Sequence, residues 1–267
     1  MKILRNISDL KKALSKIDNL GFVPTMGGLH PGHISLIKAS NKKCNKTLVS
    51  IYVNPKQFNN KKDFISYPRK LTNDINVLKK LKTDFIYLPN TREIYKRKRK
   101  KKIVISDAQK VLCAKYRKGH FEGVLDIMDR LTYLINPKYI FLGEKDYQQL
   151  FLIRKYLNKK YRAKIIKCKI IRDKNYVALS TRNYFLSTNE LKIVGFIARK
   201  LNNIKIKVNT NQNIINTTRQ EFIKKFKIKI EYLEVRSESD LTTYKKNKKF
   251  RIFIAYYLNN IRLIDNF

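Results

Sequence analysis

The sequence predicts an α/β fold. An open parallel sheet with helices on both faces occupies residues 1–174, and a smaller α+β domain follows over residues 175–267. Three observations predict it. Short β-rich apolar runs alternate with stretches of helical periodicity through the first two thirds of the chain. Glycine, amide and charged residues gather repeatedly where a strand gives way to a helix. From about Tyr176 the texture changes, with helical patterns to Lys227 and strands after them.

Ile3 to Leu20 reads as an amphipathic helix leading into a buried strand at Gly21–Pro24. Met26-Gly27-Gly28-Leu29-His30-Pro31-Gly32-His33 then forms a glycine-rich turn, and Ile34, Leu36 and Ile37 begin a helix that runs to about Ser40. Two glycines let backbone N–H groups approach a ligand closely, and the helix N-terminus favours an anion. His30 and His33 are three apart and share a side once the helix has begun. An ordinary tight turn with exposed histidines is the bland reading. The chain has three histidines in all, and two of them stand here, which favours function. Paired imidazoles beside such a turn suit the holding and neutralising of a nucleotide's phosphates.

Thr47–Val53 is the next strand, followed by Asn54-Pro55-Lys56-Gln57-Phe58. Asn-Pro is a common turn, yet Asn54 and Gln57 offer donors and acceptors suited to a small hydroxylated acid. A helix over Leu71–Leu81, a strand over Asp84–Pro89, a surface loop with the basic run 96–102 and a strand at Ile103–Ile105 come next. Arg117-Lys118-Gly119-His120 precedes a helix from Val124 to about Ile135; Arg117 and His120 suit an anionic substrate, or a capping loop.

Tyr139–Leu142 is a buried strand ending in Gly143-Glu144-Lys145-Asp146-Tyr147-Gln148-Gln149, with a helix beyond. Lys145 is a point charge for phosphates, and Asp146 is an acceptor for ribose hydroxyls or a helix cap. Lys164–Arg172 is a strand. Leu179-Ser180-Thr181-Arg182-Asn183 then offers hydroxyls and an arginine for a departing pyrophosphate. Lys205–Thr218 reads as a flexible surface segment. The strands Ile228–Arg236 and Arg251–Leu258 follow, and a turn at Asn259-Asn260 leads into a final hairpin strand.

Composition narrows the class. With 43% hydrophobic residues the chain is not disordered throughout, and no run is long enough to span a bilayer or act as a signal peptide. Cys44, Cys113 and Cys168 are isolated, which suits free thiols in the cytoplasm and gives neither a zinc site nor a disulfide framework. A net charge of +40 invites a nucleic-acid partner. The lysines are spread along the whole chain with abundant asparagine and isoleucine, as in an AT-rich compositional drift. No specific nucleic acid and no membrane partner is expected. A basic RNA-binding protein on a decayed enzyme fold is the alternative outside enzymes.

Pro24-Thr25-Met26-Gly27-Gly28-Leu29-His30-Pro31-Gly32-His33 resembles the opening signature of the pantothenate synthetase family, within the His-x-Gly-His nucleotidyl transferases. Val53-Asn54-Pro55-Lys56-Gln57-Phe58, Arg117–Val124, Gly143–Gln149, Leu179–Asn183 and the ending Arg262-Leu263-Ile264-Asp265-Asn266 resemble further family elements in the same order. Two departures stand out: Thr181 where serine is usual, and Asn175-Tyr176 where Asp-Gly is usual, which leaves that turn's geometry open.

The resemblance implies a Rossmann-like domain and ATP-dependent condensation of pantoate with β-alanine through a pantoyl adenylate. It also implies magnesium with the nucleotide and a homodimer; no carboxylate cluster in the sequence suggests a protein-built metal cage. It places Met26, Gly27, Gly28, Leu29, His30, Pro31, Gly32, His33, Gly143, Glu144, Lys145, Asp146, Ile171, Leu179, Ser180, Thr181 and Arg182 on ATP. Gln57, Gln149, Arg117 and His120 fall to pantoate, and Gln57 also to β-alanine. His33, His30, Lys145 and Arg182 carry catalysis. Another His-x-Gly-His transferase, acting on a phosphorylated acceptor, is the alternative among enzymes; Gln57 and Gln149 argue against it.

Overall fold

The structure is a computed structural model that describes residues 1–96, 101–210, 213–245 and 248–267. Most of the basic run 96–102 therefore lies outside the described residues. By its internal contacts the chain divides into two compact units. The first comprises Met1–Ile105, Arg117–Glu144 and Gln149–Lys169; the second comprises Ser106–Tyr116, Lys145–Gln148 and Ile170–Phe267.

The first unit opens with β1 (Lys2–Leu4), α1 (Ile7–Leu14), β2 (Leu20–Thr25), α2 (Pro31–Lys43) and β3 (Lys46–Ile51). Helices α3 (Lys61–Ser66) and α4 (Leu71–Lys80) lead to β4 (Phe85–Tyr87) and α5 (Thr91–Lys96). A short helix of the second unit, α6 (Cys113–Tyr116), precedes α7 (His120–Ile135), β5 (Tyr139–Gly143), α8 (Tyr147–Leu157) and β6 (Lys164–Cys168). The six strands pair in parallel in the order β1-β4-β3-β2-β5-β6. The order reverses between β2 and β5, and an open sheet of this kind offers its ligand crevice outside the carboxyl ends of the strands at that point.

Successive residues of a strand point to opposite faces, and Phe22 and Val23 of β2, like Leu48 and Val49 of β3, are all fully buried. Both faces of the sheet are therefore covered. Val23, Val49, Ile86 and Phe141 share one core with Ile37 of α2 and Leu78 of α4.

The second unit continues with α9 (Thr188–Ile204), α10 (Ile214–Phe226) and three antiparallel strands, β7 (Lys229–Ser237), β8 (Phe250–Leu258) and β9 (Ile261–Asn266). Leu201, Phe222, Ile252 and Ile254 join its helices and sheet in one core. The predicted α/β class, with a parallel sheet and a smaller α+β part, is what the structure has.

Several boundaries differ from expectation. The expected helix over Ile3–Leu20 is shorter, because Lys2–Leu4 pairs as β1 beside β4, Ile3 opposite Ile86. Three residues carry no period of their own; a partner some eighty residues away makes them a strand. Ile103–Ile105 belongs to neither sheet, and Val104 is 74% exposed: β-branched residues without a partner strand do not form one. The helix after the histidine turn begins at Pro31, where proline's fixed φ suits the first helical position. Helix α7 starts at His120, after Gly119 in the left-handed region at φ +77°. Strand β6 ends at Cys168, and Arg172 instead bridges Ala178. The segment expected to be flexible over Lys205–Thr218 is helical from Ile214.

Candidate active site

In the first unit the site grows from the carboxyl ends of β2 and β3. Thr25 ends β2 by donating its hydroxyl to the Ser50 carbonyl at 2.8 Å and accepting the Gly27 N–H at 3.2 Å. Gly27 and Gly28 follow at φ +82° and +63°, a conformation that side chains resist. Asp74, in the first turn of α4 and 1% exposed, accepts the Gly28 N–H on Oδ2 and the Leu29 N–H on Oδ1, both at 2.8 Å.

The N–H groups of Gly27, Gly28 and Leu29 thus donate within the protein, to the Thr25 hydroxyl and the Asp74 carboxylate. The helix N-terminus is likewise closed. His30 caps α2, its Nδ1 accepting the Gly32 N–H at 3.1 Å and its ring also capping the His33 N–H, while the His30 N–H donates to His33 Nδ1 at 3.4 Å. With both Nδ1 atoms accepting, the ring proton of each imidazole lies on Nε2. The two rings stand 4.1 Å apart between centroids, half-buried. Asp74 holds the turn that carries the two imidazoles.

At the end of β3, Asn54 is 1% exposed and fully engaged. It donates to Gln57 Oε1 at 3.2 Å and to the Gly123 carbonyl at 3.1 Å, and accepts from the Tyr95 hydroxyl at 2.8 Å. Gln57 in turn donates to Met26 Sδ at 3.0 Å, which brings the β3 turn against the histidine turn. A Cβ on Gly123 would meet the Lys56 carbonyl oxygen at 2.2 Å, so only glycine lets α7 approach this turn so closely. Arg117 and His120 both bond to the Gln57 turn. His120 donates from Nδ1 to the Gln57 carbonyl at 2.6 Å and accepts from Arg117 Nη1 at 3.0 Å, and Arg117 Nη2 donates to the same carbonyl at 3.4 Å. Gln149, on α8, is half-buried, whereas its neighbour Gln148 is buried and donates to the Val111 carbonyl at 2.7 Å.

In the second unit, Lys145 lies in a 3-10 turn beside Asp146, 3.7 Å between their charged atoms. Ile171 and Leu179 sit opposite each other, the Leu179 N–H donating to the Ile171 carbonyl at 3.0 Å, in a narrow hairpin closed at Asn175-Tyr176. Tyr176 holds φ +70° with the Arg172 guanidinium 4.7 Å from its ring centroid, so the usual glycine conformation is kept by a tyrosine. Ser180 caps the next 3-10 turn by accepting the Arg182 N–H at 3.1 Å; Thr181 is buried and Arg182 half-buried. Gly143 ends β5 in the first unit, and Glu144 follows it, 4.0 Å from Lys167. Among the described residues, no group of three or more His, Cys, Asp or Glu converges as a metal cage, and no helix is long and apolar enough to cross a membrane. All three cysteines are free thiols.

Asp74 and Tyr95 were not foreseen from the sequence. Each lies far along the chain from the group it holds, within an ordinary amphipathic helix, and no local spacing marks it.

A family model described as pantoate-beta-alanine ligase matches residues 2–267. The pantothenate synthetase of Flavobacterium psychrophilum is 40% identical over 265 residues, covering 96% of this chain and 94% of that protein. That of Pseudothermotoga lettingae is 35% identical, covering 100% and 98%. Among solved structures, the Thermus thermophilus pantothenate synthetase superposes with a TM-score of 0.92 at 27% identity, covering 100% and 99%. The Francisella tularensis pantoate-beta-alanine ligase, complexed with beta-gamma ATP and beta-alanine, superposes with a TM-score of 0.83 at 33% identity, covering 100% and 97%.

Proposed function

Because this chain belongs to the pantoate–β-alanine ligase family, we propose that it condenses pantoate with β-alanine in two steps through a pantoyl adenylate. A carboxylate is a poor acyl donor at neutral pH. In the first step a pantoate carboxylate oxygen bonds to the α-phosphorus of ATP as the bond to the β-phosphate bridging oxygen breaks, and pyrophosphate leaves. In the second, the β-alanine amine attacks the acyl carbon, the bond to the adenylate oxygen breaks, and the amine's proton is lost as AMP departs.

The chain's contribution is alignment and charge stabilisation. His30 and His33, each with its proton on Nε2, donate to phosphate oxygens, with Lys145, Ser180, Thr181 and Arg182 as further phosphate donors. The backbone around Met26–His33, Gly143–Asp146, Ile171 and Leu179 shapes the nucleotide's place. Gln57 and Gln149 hold pantoate, Gln57 also facing β-alanine, and Arg117 and His120 act by fixing the Gln57 backbone. Magnesium bound with the nucleotide would neutralise charge on the phosphates.

The observation that carries this reading is the His30–His33 pair, tied back through both Nδ1 atoms so that both ring protons sit on Nε2. Three free cysteines support a cytoplasmic setting, and the homodimer expected of the family is read by sedimentation. Exchange of labelled pyrophosphate into ATP tests the first step. Exchange that requires pantoate and precedes any β-alanine supports the adenylate. Exchange without pantoate points to another acceptor, and no exchange together with salt-sensitive RNA retention would overturn the reading.

A further inference from the structure

Lys145–Gln148 is flanked on both sides by chain of the first unit, yet it belongs to the second. The side chains of the second unit account for this. Asn266, at the end of β9 and 2% exposed, donates from Nδ2 to the Lys145 backbone carbonyl at 2.9 Å. Its Oδ1 accepts from Arg251 Nη1 at 2.9 Å. Arg251 pairs with Glu238 at 3.0 Å and lays its guanidinium 4.3 Å from the Tyr147 ring centroid. Tyr147 closes the circuit by donating its hydroxyl to the Glu238 carbonyl at 3.1 Å. Contacts therefore run from Lys145 through Asn266, Arg251, Glu238 and Tyr147 and return to Lys145 along the chain.

We propose that Asn266 is a positioning residue for Lys145, fixing the lysine's backbone and through it the reach of the ammonium toward the phosphates. This rests on the phosphate role given to Lys145 above. A lysine side chain has four rotatable bonds, so the position of its ammonium is only as well defined as the backbone that carries it. Asn266 suits the task because its amide is used in both directions: the oxygen is committed to a charged donor, which orients the NH2 group onto the Lys145 carbonyl. The Lys145 turn itself is a single 3-10 turn, Glu144–Asp146, with the poorer hydrogen-bond geometry of that form.

Asn266→Asp tests this with almost no change of shape. The carboxylate still accepts from Arg251 but sets an oxygen against the Lys145 carbonyl, so an anchor becomes a repulsion. In pantoate-dependent pyrophosphate exchange, kcat/KM for ATP should fall roughly tenfold, the equivalent of one buried hydrogen bond, while KM for pantoate stays within about twofold. The double variant Lys145→Ala/Asn266→Asp should be no slower than Lys145→Ala alone, since Asn266 acts through the lysine. Unchanged exchange in Asn266→Asp, or a full additional loss in the double variant, overturns the inference. Unchanged exchange in Lys145→Ala overturns instead the phosphate role of the lysine. Should Asn266→Asp be unfolded at the assay temperature, Tyr147→Phe opens the same circuit by deleting one hydroxyl, and the same cycle with Lys145→Ala decides.

Discussion

Asp74→Asn probes the frame behind the two histidines. The carboxylate receives two backbone N–H groups at 2.8 Å each, from a site that is 1% exposed. A carboxamide of the same shape keeps one oxygen and turns an NH2 toward the other N–H, so one hydrogen bond loses its charge and one buried donor faces another donor. Charge-assisted bonds contribute about 1.5–3 kcal/mol, and a buried donor left unsatisfied costs about 1–3 kcal/mol. Taken together the change should destabilise by about 2–4 kcal/mol. For a chain of this size that lowers Tm by roughly 5–15 °C. The turn at Gly27 and Gly28 is held by this carboxylate and by the Thr25 hydroxyl, and His30 and His33 are carried on it. Pantoate-dependent exchange should therefore drop about tenfold or more at a temperature where the variant is folded. Thermal unfolding and the exchange assay on the same preparation read both effects. A variant within about 1 °C of the parent and within about twofold in exchange would refute the argument that the carboxylate holds the turn.

His33→Ala should reduce exchange by at least about a hundredfold while costing only about 0.5–2 kcal/mol of stability, the worth of a helix cap; equal activity would remove His33 from the chemistry. Tyr87 is fully buried, its hydroxyl has no hydrogen-bond partner among the described residues, and burial, with Glu93 adding, pushes its pKa up to about 12. The unfolded chain, with tyrosine near 10, ionises first. Stability from this group is thus intact below pH 10 and is lost as pH rises toward about 12. Tyr87→Phe should raise stability by about 1 kcal/mol at pH 8 and flatten the alkaline decline, as denaturant melts at several pH values will show. Burial, with Glu144 adding, pushes the Cys168 thiol up to about 11, so its alkylation by iodoacetamide at pH 8 should be about a hundredfold slower than that of a free cysteine. Tyr176→Gly should change stability by no more than about 1 kcal/mol. Relief of the left-handed conformation at φ +70° opposes the loss of the Arg172 stacking contact and the greater freedom of glycine in the unfolded chain.

Sequence alone determined the α/β alternation, the parallel sheet and the later α+β part. Those follow from local periodicity and from glycines that only certain backbone conformations require. It also singled out His30, His33, Gln57, Lys145 and Arg182 as candidates, because they sit in dense motifs. Tertiary structure decided what those motifs do with their polar atoms. Two N–H groups of the glycine turn donate to Asp74, some forty-five residues on. Arg117 and His120, expected at the substrate, both donate to the Gln57 carbonyl, some sixty residues away in the chain. β1 and the extended Ile103–Ile105 reversed their expected roles because a strand exists only where a partner's N–H and C=O groups are in reach. Lys145 is joined to its unit by Asn266, across 121 residues of chain. The reason is the same in each case. Hydrogen-bond partners are chosen by proximity in space, and a local pattern carries no record of which distant group will arrive there.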